Sequence, residues 1–201
     1  MIDFPLLTAE QFAEEKYDLP EGGRWHELVA GKVVNLDPPD VAHSTAVLNL
    51  SKALAEHLQK LSRGYACFEL GLVVGRDPDT VRCPPMSLFA KGDLFAESDK
   101  IVTDTKPAMV FEIASTPDRR RSMERRIQEY LECGIELVWV ADTFEKLVRT
   151  SERDQPQQTL LETHHLDGDT FFKRSRDNRT LLSGFKFRVA DVFAEPEFWT
   201  R

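Results

Sequence analysis

Pro107-Ala108-Met109-Val110-Phe111-Glu112-Ile113-Ala114-Ser115 is an almost wholly apolar stretch with a single carboxylate in its middle. A short apolar run such as Ala108 to Ile113 is the mark of a central strand buried on both faces. An ionised carboxylate at Glu112 is expensive there unless it meets a cation, a metal or hydrogen-bond donors, and buried acids tend to mark sites. The plainer alternative is an acid that reaches solvent from a strand end or pairs with an arginine.

Downstream, Ser122 to Cys133 reads as a helix closed by Gly134, and Leu137 to Val140 as a second central strand. Strand, helix and strand in this order predict a crossover unit with its two strands parallel. Lys146 to Arg149 and Thr159 to Thr163 read as edge strands, and Leu166 to Asp169 as a turn. Leu181 to Phe193 is apolar enough to pack back on the domain. Upstream, Tyr65 to Val74 and Val81 to Phe89 flank a run of turn formers, Gly75 to Thr80, and predict an antiparallel hairpin. Residues 90–106 are polar and irregular. Val47, Leu50, Leu54, Leu58 and Leu61 recur at helical spacing between a cap at Asp40 and a stop at Gly64, which makes this the longest helix expected. Trp25 to Leu36 reads as a hairpin turning at Ala30-Gly31. Thr8-Ala9-Glu10-Gln11 has capping-box spacing at the start of a first helix, with Leu7 and Phe12 placed as a hydrophobic staple.

The 201 residues suffice for one domain, 1–201, with its own core. The beginning, Met1 to Leu7, lacks the basic and apolar regions of a signal peptide, and no window approaches a membrane span. Three widely spaced cysteines (Cys67, Cys83, Cys133) with no Cys-x-x-Cys pair argue against a disulfide framework or zinc site and for a reducing cytoplasm. The net charge of −8 excludes a protein that binds DNA by overall charge, so any nucleic-acid contact needs a local basic patch or a bound cation. Arg119-Arg120-Arg121 with Arg125 and Arg126 is the one dense basic run, either a solvated helix start or a set of phosphate contacts.

Six segments in order resemble the bacterial putative restriction endonucleases of the PD-(D/E)XK superfamily. They are Arg24 to Val34 with Glu27; Pro38-Pro39 followed by His43; Val81-Arg82-Cys83-Pro84-Pro85; Pro107 to Ser115 with Glu112; Arg126 to Asp142 with Tyr130, Gly134 and Trp139; and Leu181 to Phe185. The resemblance implies an α/β, restriction endonuclease-like fold, with a central mixed β-sheet flanked by helices and an N-terminal helix and hairpin. It also implies magnesium held by acids on neighbouring strands, DNA as the partner, and, by analogy with enzymes that cut both strands, a homodimer. Two positions depart from the family pattern. Pro85 stands at the family's aspartate and offers no ligand. Arg126 stands at its lysine, keeping the charge but unable to serve as a base.

Glu112, Glu27 and Arg126 are therefore the expected catalytic set, and Glu112, Glu27 and Glu69 the expected metal set. Glu69 enters on its position in the strand beside Val81 to Phe89, with solvent exposure the plainer reading for it and for Asp77 and Asp79. His26, His164 and His165 have no metal-site spacing and read as surface residues; Tyr130 and Trp139 read as core. Three readings follow. The first is an endonuclease-like protein whose metal-dependent hydrolysis is weak or lost, with magnesium weakly bound. The second is a non-catalytic nucleic-acid-binding or interaction module on the same fold. The third is an active nuclease with Glu69 as a relocated ligand.

Overall fold

The protein is described by a computed structural model over residues 6–61, 63–175 and 177–195. In chain order it contains α1 (Ala9–Glu15), β1 (His26–Val29), β2 (Lys32–Asn35), α2 (Val41–Leu61), β3 (Tyr65–Cys67), β4 (Gly71–Gly75), β5 (Thr80–Arg82), β6 (Met86–Phe89) and β7 (Val102–Thr103). It continues with β8 (Met109–Ala114), α3 (Pro117–Cys133), β9 (Leu137–Asp142), β10 (Leu147–Glu152), β11 (Gln158–Leu161), β12 (His165–Asp167), β13 (Lys186–Arg188) and α4 (Val189–Val192).

The main sheet has the order β11-β10-β9-β8-β6-β3. Strands β8 and β9 are parallel, joined over α3, and the remaining ladders are antiparallel, so the sheet is mixed as expected. Because successive side chains on a strand point to opposite faces, β8 divides its residues between two layers. Met109, Phe111 and Ile113 join Leu50, Leu54 and Leu58 of α2 and the apolar tail, including Leu181, Phe185 and Val192. Val110 and Ala114 join Met123, Ile127 and Tyr130 of α3. Glu112 alternates with this second set and so points to the α3 side. Trp139 is fully buried against Phe171 and Phe185, a core residue as read from the sequence.

The two long strands expected at 65–74 and 81–89 are each broken. Their outer halves pair as β4 and β5 in a smaller sheet of order β2-β1-β5-β4-β7, and their inner halves pair as β3 and β6 in the main sheet. Both breaks have local causes. Glu69 sits in the left-handed region at φ 52, which ends one strand, and Pro84-Pro85 withdraws two N–H donors from the other. The chain thus bends twice at the same level, and the smaller sheet is carried over α3.

Helix α3 begins at Pro117, five residues before the expected Ser122. Thr116 is the N-cap, its hydroxyl accepting from the Arg119 amide, and Pro117 occupies the first turn, where its missing N–H costs nothing. The arginine run is therefore inside the helix. Gly134 closes it at φ 113, in the left-handed region that favours glycine. Strand β10 is interior, covered by β11, where an edge was expected. Asp79, expected in solvent, is buried: its carboxylate accepts from the Ala9 amide at 2.7 Å and from Arg76 at 2.8 Å, adding a long-range cap to the Thr8–Gln11 box at the start of α1.

Candidate active site

The candidate site lies where the two sheets meet α3. Glu27 comes from β1 of the smaller sheet, Glu112 from β8 of the main sheet, and Arg126 from the helix between them. All three are at most 1% exposed. Arg126 donates to both carboxylates: Nη1 and Nη2 reach the two oxygens of Glu27 at 2.6 and 2.8 Å, and Nε and Nη2 reach Oε1 of Glu112 at 2.9 and 2.6 Å. The planar fork of a guanidinium is what lets one side chain serve two acids in this way. The Tyr130 hydroxyl, one helical turn further on, donates to the same Glu112 oxygen at 2.6 Å.

Glu27 has two more donors. Arg82 Nη1 lies 3.0 Å from Oε2, and the Cys83 amide lies 2.8 Å from Oε1. Arg82 is held in turn by Glu129, which also accepts from Arg125. Burial alone would raise the Glu27 carboxyl, but the charge and hydrogen bonds of Arg126 and the charge of Arg82 overcome it and hold it at about 2. Burial would lower Arg126, yet Glu112 and Glu27 keep it well above its ordinary value. Tyr130 is pushed up by burial and by Glu112, so it remains a donor. The network is a closed set of paired charges.

Sequence reasoning brought Glu112, Glu27 and Arg126 to one place, and the fold does the same. Glu69 is not part of that group: it sits exposed on the loop between β3 and β4. Pro85 lies just before β6, whose register with β8 pairs Met86 with Phe111; continued by one residue, that register sets Pro85 across from Glu112. Its ring supplies no oxygen. Among the described residues no group of three or more His, Cys, Asp or Glu side chains could hold a metal ion. Three of the four carboxylate oxygens of Glu27 and Glu112 already accept from guanidinium groups, leaving Glu112 Oε2 without a partner. Magnesium requires near-octahedral oxygen ligation, and a fixed positive charge sits between its two candidate acids. The donor set present does not fit magnesium.

Four contributors escaped the sequence reading. Arg82 carries the same signal as Glu112, a charge inside a buried strand. Tyr130 read as core, and it is fully buried, but its hydroxyl is part of the network. His26, read as a surface residue, is 6% exposed. His43, in α2, faces Ser115 at the end of β8, with Nδ1 and Oγ 3.1 Å apart. Burial and the neighbouring Arg119 charge lower His43 to about 4, against the opposing pull of Asp40. His164 and His165 are exposed, as expected.

Comparison with known proteins bears on this geometry. The model of the family described as Putative restriction endonuclease (Uma2) matches residues 13–180. No curated protein matches the chain. Among solved structures, the chain is similar to a putative nuclease from Anabaena variabilis, with a TM-score of 0.72 and 18% identity over 93% of this chain and 97% of that one. That likeness shows the fold.

Proposed function

Because the chain belongs to the Putative restriction endonuclease family Uma2, we propose that it is a PD-(D/E)XK endonuclease-like protein in which metal-dependent DNA phosphodiester hydrolysis is weak or lost. The observation that carries this reading is the position of Arg126. Its guanidinium lies between Glu27 and Glu112, bonded to both, in the place where the family resemblance leads one to expect a metal. A fixed cation there neutralises the acids permanently. It cannot exchange, bring water or leave.

The reading with Glu69 as a relocated ligand loses its support, since Glu69 is exposed on a loop and forms no metal-holding group with the other two acids. The deciding experiment is nicking of supercoiled plasmid with magnesium and with manganese, with Glu112→Ala as control. The expected result is no cleavage above that control. Metal-dependent nicking abolished by Glu112→Ala would overturn the proposal.

A further inference from the structure

Beside the closed network lies a narrow pocket whose lining includes Arg24, His26, His43 and Arg119. Arg119 is the informative member. It is 5% exposed, yet among the described residues no carboxylate pairs with its guanidinium, and its Nε has no hydrogen-bond partner. His26 Nδ1, at the same pocket, is also buried without a partner. Every other buried arginine near the site is matched: Arg82 with Glu27 and Glu129, Arg126 with Glu27 and Glu112. A guanidinium nitrogen buried without a partner is costly, and an anion entering the pocket would relieve that cost.

The enclosed part of the pocket is about 10 Å³, enough for one oxygen-sized atom, and the space counted out to its mouth is about 290 Å³. The group that enters must be small, with its bulk left outside. At the mouth the pocket continues into an apolar groove of about 350 Å³, lined by Trp25, Pro39, Val47, Leu48 and Phe68; the two share Trp25, His43, Glu69 and Pro85. Phe68 is 53% exposed at this groove.

We propose that pocket and groove together bind the terminal phosphate of a nucleotide without metal, with the phosphate against Arg119 and Arg24 and the base over Phe68 and Trp25. A guanidinium offers two parallel N–H groups to two phosphate oxygens, and aromatic faces accept any base by stacking. Glu27 does not oppose the anion, because Arg126 and Arg82 already neutralise it. Glu69 at the mouth does oppose it. The inference rests on the reading that the centre takes no metal.

The test is calorimetry and thermal melting in EDTA. The probes are inorganic phosphate, thymidine 5′-monophosphate, thymidine, and an eight-residue oligothymidylate with either a 5′-phosphate or a 5′-hydroxyl. The monophosphate is expected to bind at least tenfold more tightly than inorganic phosphate, and thymidine not measurably. Tighter binding of the phosphorylated oligonucleotide than of the monophosphate assigns the site to a nucleic-acid end; equal or weaker binding assigns it to a free nucleotide. Arg119→Met should weaken binding at least tenfold while the unliganded melting temperature stays or rises, because an unpaired charge has been removed from the interior. A merely structural arginine would lower it.

Should Arg119→Met not fold, Arg24→Gln at the exposed rim and Phe68→Ser in the groove should each weaken binding severalfold. Glu69→Gln should tighten it, and Arg121→Gln, off the pocket, should leave it unchanged. Equal binding of the phosphate- and hydroxyl-ended oligonucleotides, or binding indifferent to both Arg119→Met and Arg24→Gln, overturns the proposal. Plasmid cleavage with magnesium would refute the metal-free reading and leave these EDTA results to stand alone. Absence of both cleavage and binding would refute the nucleotide site only.

Discussion

Arg126→Gln removes the cation from between two buried carboxylates, leaving Glu27 to Arg82 and the Cys83 amide and Glu112 to the Tyr130 hydroxyl. Breaking one partner out of a buried ionic cluster costs roughly 3–5 kcal/mol, far more than the net worth of the intact pairing. Urea denaturation at pH 7 should show a loss of that size, and a loss under about 1 kcal/mol would mean that Arg82 and Tyr130 suffice. His43 supplies a second test through pH. It is lowered from 6.5 to about 4 in the folded chain, so between those values the unfolded chain binds the extra proton. Its contribution is therefore fully present above pH 6.5 and is lost as pH falls towards 4, roughly 3 kcal/mol at 1.36 kcal/mol per unit. His43→Gln, which can still hydrogen-bond Ser115, should flatten the stability profile in that window. Glu27 acts at lower pH. Its depressed carboxyl stabilises the fold above the ordinary carboxylate range, and that stabilisation goes as pH falls towards 2. An unchanged slope between pH 6.5 and 4 in the His43 variant would refute the assignment.

At the scale of elements, α3 is the piece that positions the site, and its start depends on one cap. Thr116→Ala removes the hydroxyl that accepts from the Arg119 amide and should cost about 1 kcal/mol; thermal melting would detect it, and Thr116→Ser should restore most of it. This helix also shows where sequence reading succeeds and where it stops. The crossover was legible because Ala108 to Ile113 and Leu137 to Val140 are apolar runs flanking a helix with a glycine stop. Glu112 was legible because a charge inside such a run has few explanations. The first turns of α3 were not. Its buried face is Arg119, Met123, Arg126, Ile127 and Tyr130, at regular helical spacing, but two of the five are arginines. In sequence they are indistinguishable from Arg121 beside them, which is exposed and pairs with Asp118. What buries them is the packing around α3, which sets Arg126 against Glu27 and Glu112 and Arg119 beside His26 and His43, contacts that are long-range in sequence. The breaks at Glu69 and Pro84-Pro85 were hidden for a similar reason, since a strand that changes sheets keeps its apolar pattern on either side of the bend.

For the whole molecule, the closed centre leads to a reconstruction. Pro85→Asp would set a carboxylate across from Glu112, and Arg126→Lys would replace the fork with a compact ammonium that cannot span both acids. The folded double variant should gain magnesium-dependent plasmid nicking over the starting protein and over either single change, because residues that act as a unit are strongly non-additive. Circular dichroism must establish folding first, and an inert folded double variant would show that more than two positions separate this chain from activity. The same guanidinium has a mechanical consequence. The smaller sheet continues the main one through the bends at Glu69 and Pro84-Pro85, and Arg126 ties its strand β1 to β8 like a bolt through two plates. In amide hydrogen exchange, Arg126→Gln should let β1 and β5 open as one cooperative unit while β8 and β9 keep the protection of global unfolding. Uniform loss of protection across both sheets would mean that the plates were never separable.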